Sequence, residues 1–286
     1  MAINVLAGQF AVSLCIRDNL AHIETILDGA EPDDLVVVPE GALSGYSDNI
    51  GFLDGIDPAE LQRAMGRLKT EAMLRRVHLI FGSCILESGL WYNAAICYSY
   101  TGNDFTYRKI NLALHERGHM EAGSILPIHS LRIGDQIVRV GMQLCREIRF
   151  PEQWRWLAMR GASIFVYLTN AINTHEIYSV WKSHLVSRAA ENQRFLVASN
   201  NAHLSQNCPT MLVSPRGEVL EEIHSDRLCS FRRGINLDEA SNWYMSQSRH
   251  DVVTLTSGNG AKKQDQTDSF RAGPGSRSGV PGSGPA

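Results

Sequence analysis

Apolar positions along this chain keep two rhythms. Ile3, Val5 and Ala7 alternate with less apolar neighbours, the period of a strand over residues 3–10. Leu20, Ile23, Ile26 and Leu27 recur at helical spacing. Residues 35–38 form a short unbroken apolar run, as in a strand covered on both faces. Asp57-Pro58-Ala59-Glu60 is a helix start: an N-cap Asp, Pro at the first position and Glu at the third. Leu61, Met65, Leu68 and Ala72 supply that helix with an inner stripe reaching about Arg76. Two long strands are predicted at 77–86 and 91–100, joined by Glu87-Ser88-Gly89, and a shorter one ends near Lys109. Further strands are predicted at 125–131, 136–144, 163–169 and 194–199, with helices at 151–160 and 175–192. Three short strands over 211–213, 219–223 and 228–235 close the pattern.

This order mixes strand–helix units with adjacent strand pairs, so the fold class is α/β with sheets that are not purely parallel. No linker divides the first 250 residues, and a single domain over 1–256 is expected. From Ser257 the composition collapses to Gly, Ser, Pro, Lys and Asp, so 257–286 is expected to be a disordered or extended tail.

Charge narrows the function classes. A formal net charge of -3, with basic residues scattered, gives no footprint for nucleic acid or an anionic membrane. No stretch approaches the roughly 20 apolar residues of a membrane span. The first residues lack a basic leader and read as a strand, and the six cysteines form no CxxC pair. Reduced thiols and a cytoplasmic location are the expectation.

The candidate chemistry sits where apolar runs end. Residues 138–144 stop at Cys145, ahead of a polar turn and the helix start Pro151-Glu152. A thiol there lies at the carboxyl end of a strand and near a helix N-terminus, which favours thiolate. Val36-Val37-Val38-Pro39 ends in Glu40, and Phe105-Thr106-Tyr107-Arg108 ends in Lys109. Taken singly, these are a structural cysteine, a turn cap and a solvated strand end. Taken together, they are a nucleophile, a base for its proton and a cation for the oxyanion.

The same residues carry a resemblance. Pro39-Glu40 with Gly45-Tyr46, then Arg108-Lys109 with Leu112, Glu116 and Gly123, then Gly141 to Cys145 with Phe150-Pro151-Glu152 and Gly161-Ala162, occur in order. Arg188-Ala189-Ala190-Glu191-Asn192 and Ser214-Pro215-Arg216-Gly217-Glu218-Val219 follow. Over most of residues 1–240 the chain resembles the nitrilase superfamily of carbon–nitrogen hydrolases, on its amidase-like branch. The resemblance implies a four-layer α-β-β-α sandwich. It implies Glu40 as general base, Lys109 as catalytic lysine, Cys145 as nucleophile and Glu116 as a second active-site glutamate. Tyr46, Arg146 and Asn170 are expected at the substrate, a small-molecule amide or carbamoyl compound. No metal or organic cofactor is implied, and a homodimer or higher homo-oligomer is. Three positions depart from the family pattern: Glu147 stands where many amidases carry Asp, Met120 where an aromatic is common, and Arg146 where nitrilases have Trp. The last leans away from nitriles and towards amides.

Two other readings compete. His115-Glu116-Arg117-Gly118-His119 matches H-E-x-x-H, which on a helix places two imidazoles on one face for zinc. Gly118 inside such a helix costs about 1 kcal/mol, and the later residues of the extended motif are absent. The other reading is a catalytically silent binding or assembly module with the same fold.

Overall fold

The computed structural model describes residues 2–172, 175–256 and 258. The expected tail, 257–286, lies almost wholly outside the described residues. The elements fall within one unit, Met1–Leu255.

Two six-stranded mixed sheets carry the chain. The first holds β1 (Ala2–Gln9), β2 (Leu35–Val37), β3 (His78–Glu87), β4 (Leu90–Ser99), β5 (Phe105–Arg108) and β12 (Cys229–Asn236). Its order is β12-β1-β2-β3-β4-β5, parallel across β1, β2 and β3 and antiparallel elsewhere. The second holds β6 (Ile128–Ile133), β7 (Gln136–Leu144), β8 (Ile164–Thr169), β9 (Phe195–Asn200), β10 (Thr210–Val213) and β11 (Val219–Ile223). Its order is β11-β10-β9-β8-β7-β6, parallel across β7, β8 and β9. Helices α1 (Ile16–Leu27) and α2 (Pro58–Arg75) pack on the first sheet, and α3 (Pro151–Met159) and α4 (Tyr178–Asn192) on the second.

Alternation along each strand assigns its side chains to layers. On β1, Leu6 faces the helix layer while Ile3, Val5 and Ala7 enter the core between the sheets. On β3, Leu79 and Phe81 face α1 and α2, and Ile80 faces the second sheet. On β8, Ile164, Val166 and Leu168 point to the middle core while Phe165 and Tyr167 meet α3 and α4. Three apolar layers between four structural layers make the α-β-β-α sandwich that the resemblance implies.

Local chemistry sets the element ends. The Asp57 side chain accepts from the Ala59 N–H at 2.8 Å and starts α2 at Pro58. Two predicted starts shift by three residues. The strand expected at 125–131 begins at Ile128, after Pro127, which has no N–H for a ladder. The helix expected from 175 begins at Tyr178, because Ile177 is extended and Glu176 is drawn to arginines before the helix starts.

Candidate active site

Glu40, Lys109 and Cys145 each follow the end of a strand, and Glu116 lies in the turn beyond Lys109. Beyond β2, the chain turns at Pro39, whose carbonyl accepts from Gly82 N at 2.9 Å. A Cβ at Gly82 would stand 2.5 Å from the Glu40 Cα, so only glycine lets β3 pass this close to the turn. Glu40 is fully buried. Its Oε1 accepts from Asn93 Nδ2 at 2.8 Å and Lys109 Nζ at 3.1 Å, and its Oε2 from the Asn170 N–H at 2.9 Å. Lys109 follows β5 and is tied back by its N–H to the Asn93 carbonyl, 2.8 Å. Its ammonium, also fully buried, donates to Glu116 Oε1 at 2.9 Å as well as to Glu40. An ammonium has three N–H bonds, so one remains beyond these two.

Burial alone would lower the Lys109 pKa. The charges of Glu40, Cys145 and Glu116 outweigh it and hold the amine firmly protonated, with its pKa raised. Burial likewise pushes Glu116 up, but Lys109 and hydrogen bonds from Asn93 and Ala113 prevail, and its pKa is lowered. The Tyr46 hydroxyl donates to Glu116 Oε1 at 2.8 Å and stands 2.9 Å from His115 Nε2. With the hydroxyl proton committed to the carboxylate, the imidazole Nε2–H is the donor to the Tyr46 oxygen.

Cys145 ends β7 in a sharp turn. Its φ is +42°, a left-handed conformation rare for a residue with a Cβ, and its carbonyl accepts from the Tyr167 hydroxyl at 2.6 Å. The residue is half-buried and lines a cavity of about 340 Å³. Tyr46, His115, Arg146, Asn170 and Trp181 share that cavity wall.

The thiol corrects one sequence expectation. The polar turn expected between Cys145 and the helix is the five-residue 3-10 turn Cys145–Arg149, but the thiolate expected from the nearby helix N-terminus is not favoured. Burial, reinforced by the Glu40 carboxylate, pushes the thiol up to about 12, against a smaller opposing effect of Lys109. At neutral pH the resting group is therefore a thiol, and its attack needs a base to take the proton. Alkylation of Cys145 by iodoacetamide is accordingly expected to quicken about tenfold per pH unit from 7 to 9, since only thiolate reacts. Peptide-resolved mass spectrometry separates it from the exposed Cys15. A plateau at neutral pH contradicts the raised value.

Glu147, two residues on, fastens the two halves of the site together. Its Oε1 accepts from the N–H groups of Ile110 at 2.9 Å and Asn111 at 3.0 Å, directly after Lys109. Its Oε2 accepts from the Leu144 N–H at 2.8 Å, directly before Cys145. The Tyr107 hydroxyl lies 2.8 Å from both oxygens. The carboxyl is wholly buried, and burial raises its pKa against these donors.

The other sequence candidates fall as follows. Tyr46, Arg146 and Asn170 all line the cavity. The Asn170 side chain accepts from Asn201 Nδ2 at 2.9 Å, while its own Nδ2 is buried without a hydrogen-bond partner. Arg146 is paired with Glu176 at 2.9 Å. Trp154 is core, its indole N–H donating to the Glu147 carbonyl at 3.0 Å. The H-E-x-x-H segment is a turn with Gly118 at φ +81°, so the helical face that the zinc motif requires is not formed. Glu116 is committed to Lys109, and His119 is exposed. Among the described residues, no group of three or more His, Cys, Asp or Glu is arranged to hold a metal ion.

Asn93 is the site residue that sequence reading missed. Its amide bridges Glu40 and Glu116, at 2.8 and 2.7 Å. The signal was present: Asn93 shares the inward face of β4 with Ala95 and Cys97, and a lone amide on an apolar face needs partners.

Two stacked sheets whose strand ends gather a thiol, an ammonium and a carboxylate beside one cavity, with a second carboxylate from a turn, have the parts of a hydrolase. The chain belongs to the carbon-nitrogen hydrolase family, whose sequence profile matches residues 8–230. A probable nitrilase of Schizosaccharomyces pombe is 26% identical over 253 residues, covering 84% of this chain and 91% of the relative. An (R)-stereoselective amidase of a Pseudomonas species is 29% identical over 226 residues, covering 76% and 77%. In fold, the chain is similar to a nitrilase-superfamily amidase of Nesterenkonia AN1, with a TM-score of 0.73 and 20% identity over 87% of this chain and 95% of that one.

Proposed function

We propose that this chain hydrolyses small amides through a thioester on Cys145. One observation carries the reading: a half-buried cysteine on a strained strand end, at a cavity, within the electrostatic reach of Glu40, Lys109 and Glu116. Glu40 takes the thiol proton. Sulfur attacks the amide carbon, and the carbonyl oxygen becomes an oxyanion held by the remaining Lys109 N–H. The carbon–nitrogen bond then breaks, and the nitrogen leaves with the proton stored on Glu40. Water gives a proton to Glu40 as its oxygen attacks the thioester, and the acid departs as the proton returns to sulfur. Glu116 keeps Lys109 in place through its 2.9 Å bond. The unpartnered Asn170 amide offers the substrate a donor at the cavity wall.

The relatives support this reading. Besides the stereoselective amidase, they include a 2-oxoglutaramate amidase of Bacillus subtilis, 29% identical over 197 residues. A glutamate-to-glutamine mutant of the Nesterenkonia amidase has been solved with the acetamide moiety of fluoroacetamide covalently added at its active-site cysteine. The test is direct. The protein is mixed with a panel of short amides and nitriles, quenched with acid and weighed. The expected result is an acyl adduct on the Cys145 peptide with ammonia and acid released from amides. Turnover that ceases with a chelator and leaves no adduct on Cys145 overturns the mechanism.

A further inference from the structure

Arg146 directly follows the thiol position and lines the cavity, which makes it the obvious partner for a substrate carboxylate. The structure gives that charge to another group. Arg146 Nη1 donates to Glu176 Oε1 at 2.9 Å, and Arg149 Nη2 stands 3.5 Å from Oε2 of the same carboxylate. Glu176 lies on the same cavity wall. Its backbone is fixed by Asn207, whose Nδ2 donates to the Glu176 carbonyl at 2.6 Å. The Arg149 guanidinium also covers the Trp181 ring, 5.3 Å away, and Trp181 is another wall residue. His115 Nε2, also on the wall, stands 3.5 Å from Asp48 Oδ1. Among the described lining residues, then, the one arginine is already paired with a carboxylate.

We propose that Glu176 is a specificity-determining residue: it neutralises Arg146 inside the cavity, so the site selects amides with an uncharged acyl group and refuses those bearing a carboxylate. This rests on the reading of the cavity as an amide site. A carboxylate entering here loses its hydration and meets a guanidinium already committed to Glu176. To win Arg146 it must displace Glu176 or share the guanidinium with it, leaving two carboxylates side by side. An uncharged chain of the same length meets the Trp181 and Ala171 surfaces and disturbs no ion pair.

The experiment compares butyramide with succinamate, which has nearly the same length and a terminal carboxylate. Wild-type kcat/KM is expected to favour butyramide by about 100-fold, the scale of a like-charge juxtaposition at a binding surface. Glu176→Gln keeps the shape and releases both guanidinium groups. The ratio is then expected to fall at least about tenfold, through a lower KM for succinamate, since a freed bidentate arginine recognises carboxylate well. Glu176→Asp, which keeps the charge, is expected to keep the preference, and Glu176→Gln with Arg146→Ala to lose the gain. Equal use of both amides by the wild type overturns the proposal, and so does an unchanged ratio in Glu176→Gln. If neither amide is hydrolysed, the amide reading fails separately. Calorimetric binding of succinamate to Cys145→Ala, with and without Glu176→Gln, then still decides the role of Glu176: tighter binding without the carboxylate supports it, and equal binding overturns it.

Discussion

Cys145→Ala is expected to lower kcat for any amide substrate by at least about 10⁴-fold, the scale seen when a covalent nucleophile is removed. The fold should survive. The residue is half-buried, and its thiol forms no disulfide. Alanine also leaves the φ of +42° in a residue with a Cβ, so the turn keeps its strain and the melting temperature should change little. Substrate should still bind, because Tyr46, Asn170 and the rest of the wall are untouched. Turnover, binding and melting of the purified variant check the three claims together. A variant that keeps more than a few per cent of wild-type kcat rules out sulfur as the attacking atom, whatever its affinity for amides.

Glu147→Ala is expected to damage both stability and rate. It strips acceptors from the N–H groups of Leu144, Ile110 and Asn111 and from the Tyr107 hydroxyl, all held at 2.8–3.0 Å. A buried donor left unsatisfied costs about 1–3 kcal/mol. Water entering the gap recovers part of that, so about 3–5 kcal/mol is expected, or a fall in melting temperature of roughly 6–20 °C. The rate follows from geometry. The Lys109 and Cys145 segments lose their common anchor, and misplacement by about 1 Å costs about 10² in rate. Glu147→Gln is the finer probe. It fits the space, yet one of its ends becomes an NH₂ facing backbone N–H groups, so kcat should fall while KM holds. Glu147→Gln with wild-type kcat and unchanged melting would show that the clamp contributes nothing.

How much of this was legible in the sequence depended on the kind of signal. An apolar run that stops abruptly marks the end of a buried strand, and Glu40, Lys109 and Cys145 all stand at such ends. The period of two along β1, β3 and β8 shows which residues share a face. It does not say which layer that face meets, because each of these sheets is covered on both sides. Asn93 was overlooked because one polar residue in a strand looks like a flaw until its partners, 53 and 23 residues away, are known. Glu147 was visible only as a departure from the family's Asp; its link to Tyr107, 40 residues earlier, is a tertiary fact. The thiolate expected at Cys145 failed for a tertiary reason. The polar turn ahead of α3 was legible, but the burial and the Glu40 carboxylate that raise the thiol come from the packed fold.

The proposed base and the thiol ride on different sheets: Glu40 and Lys109 follow strands of the first, Cys145 a strand of the second. Their meeting therefore depends on closure of the middle core and on neither sheet alone. A chain that has formed all its strands but not stacked them, as in a molten globule, carries every residue of the chemistry and no catalyst. Turnover is thus a gauge of tertiary closure, blind to secondary structure. Such a half-folded molecule would be silent, its thiol parted from the carboxylate proposed to draw off its proton.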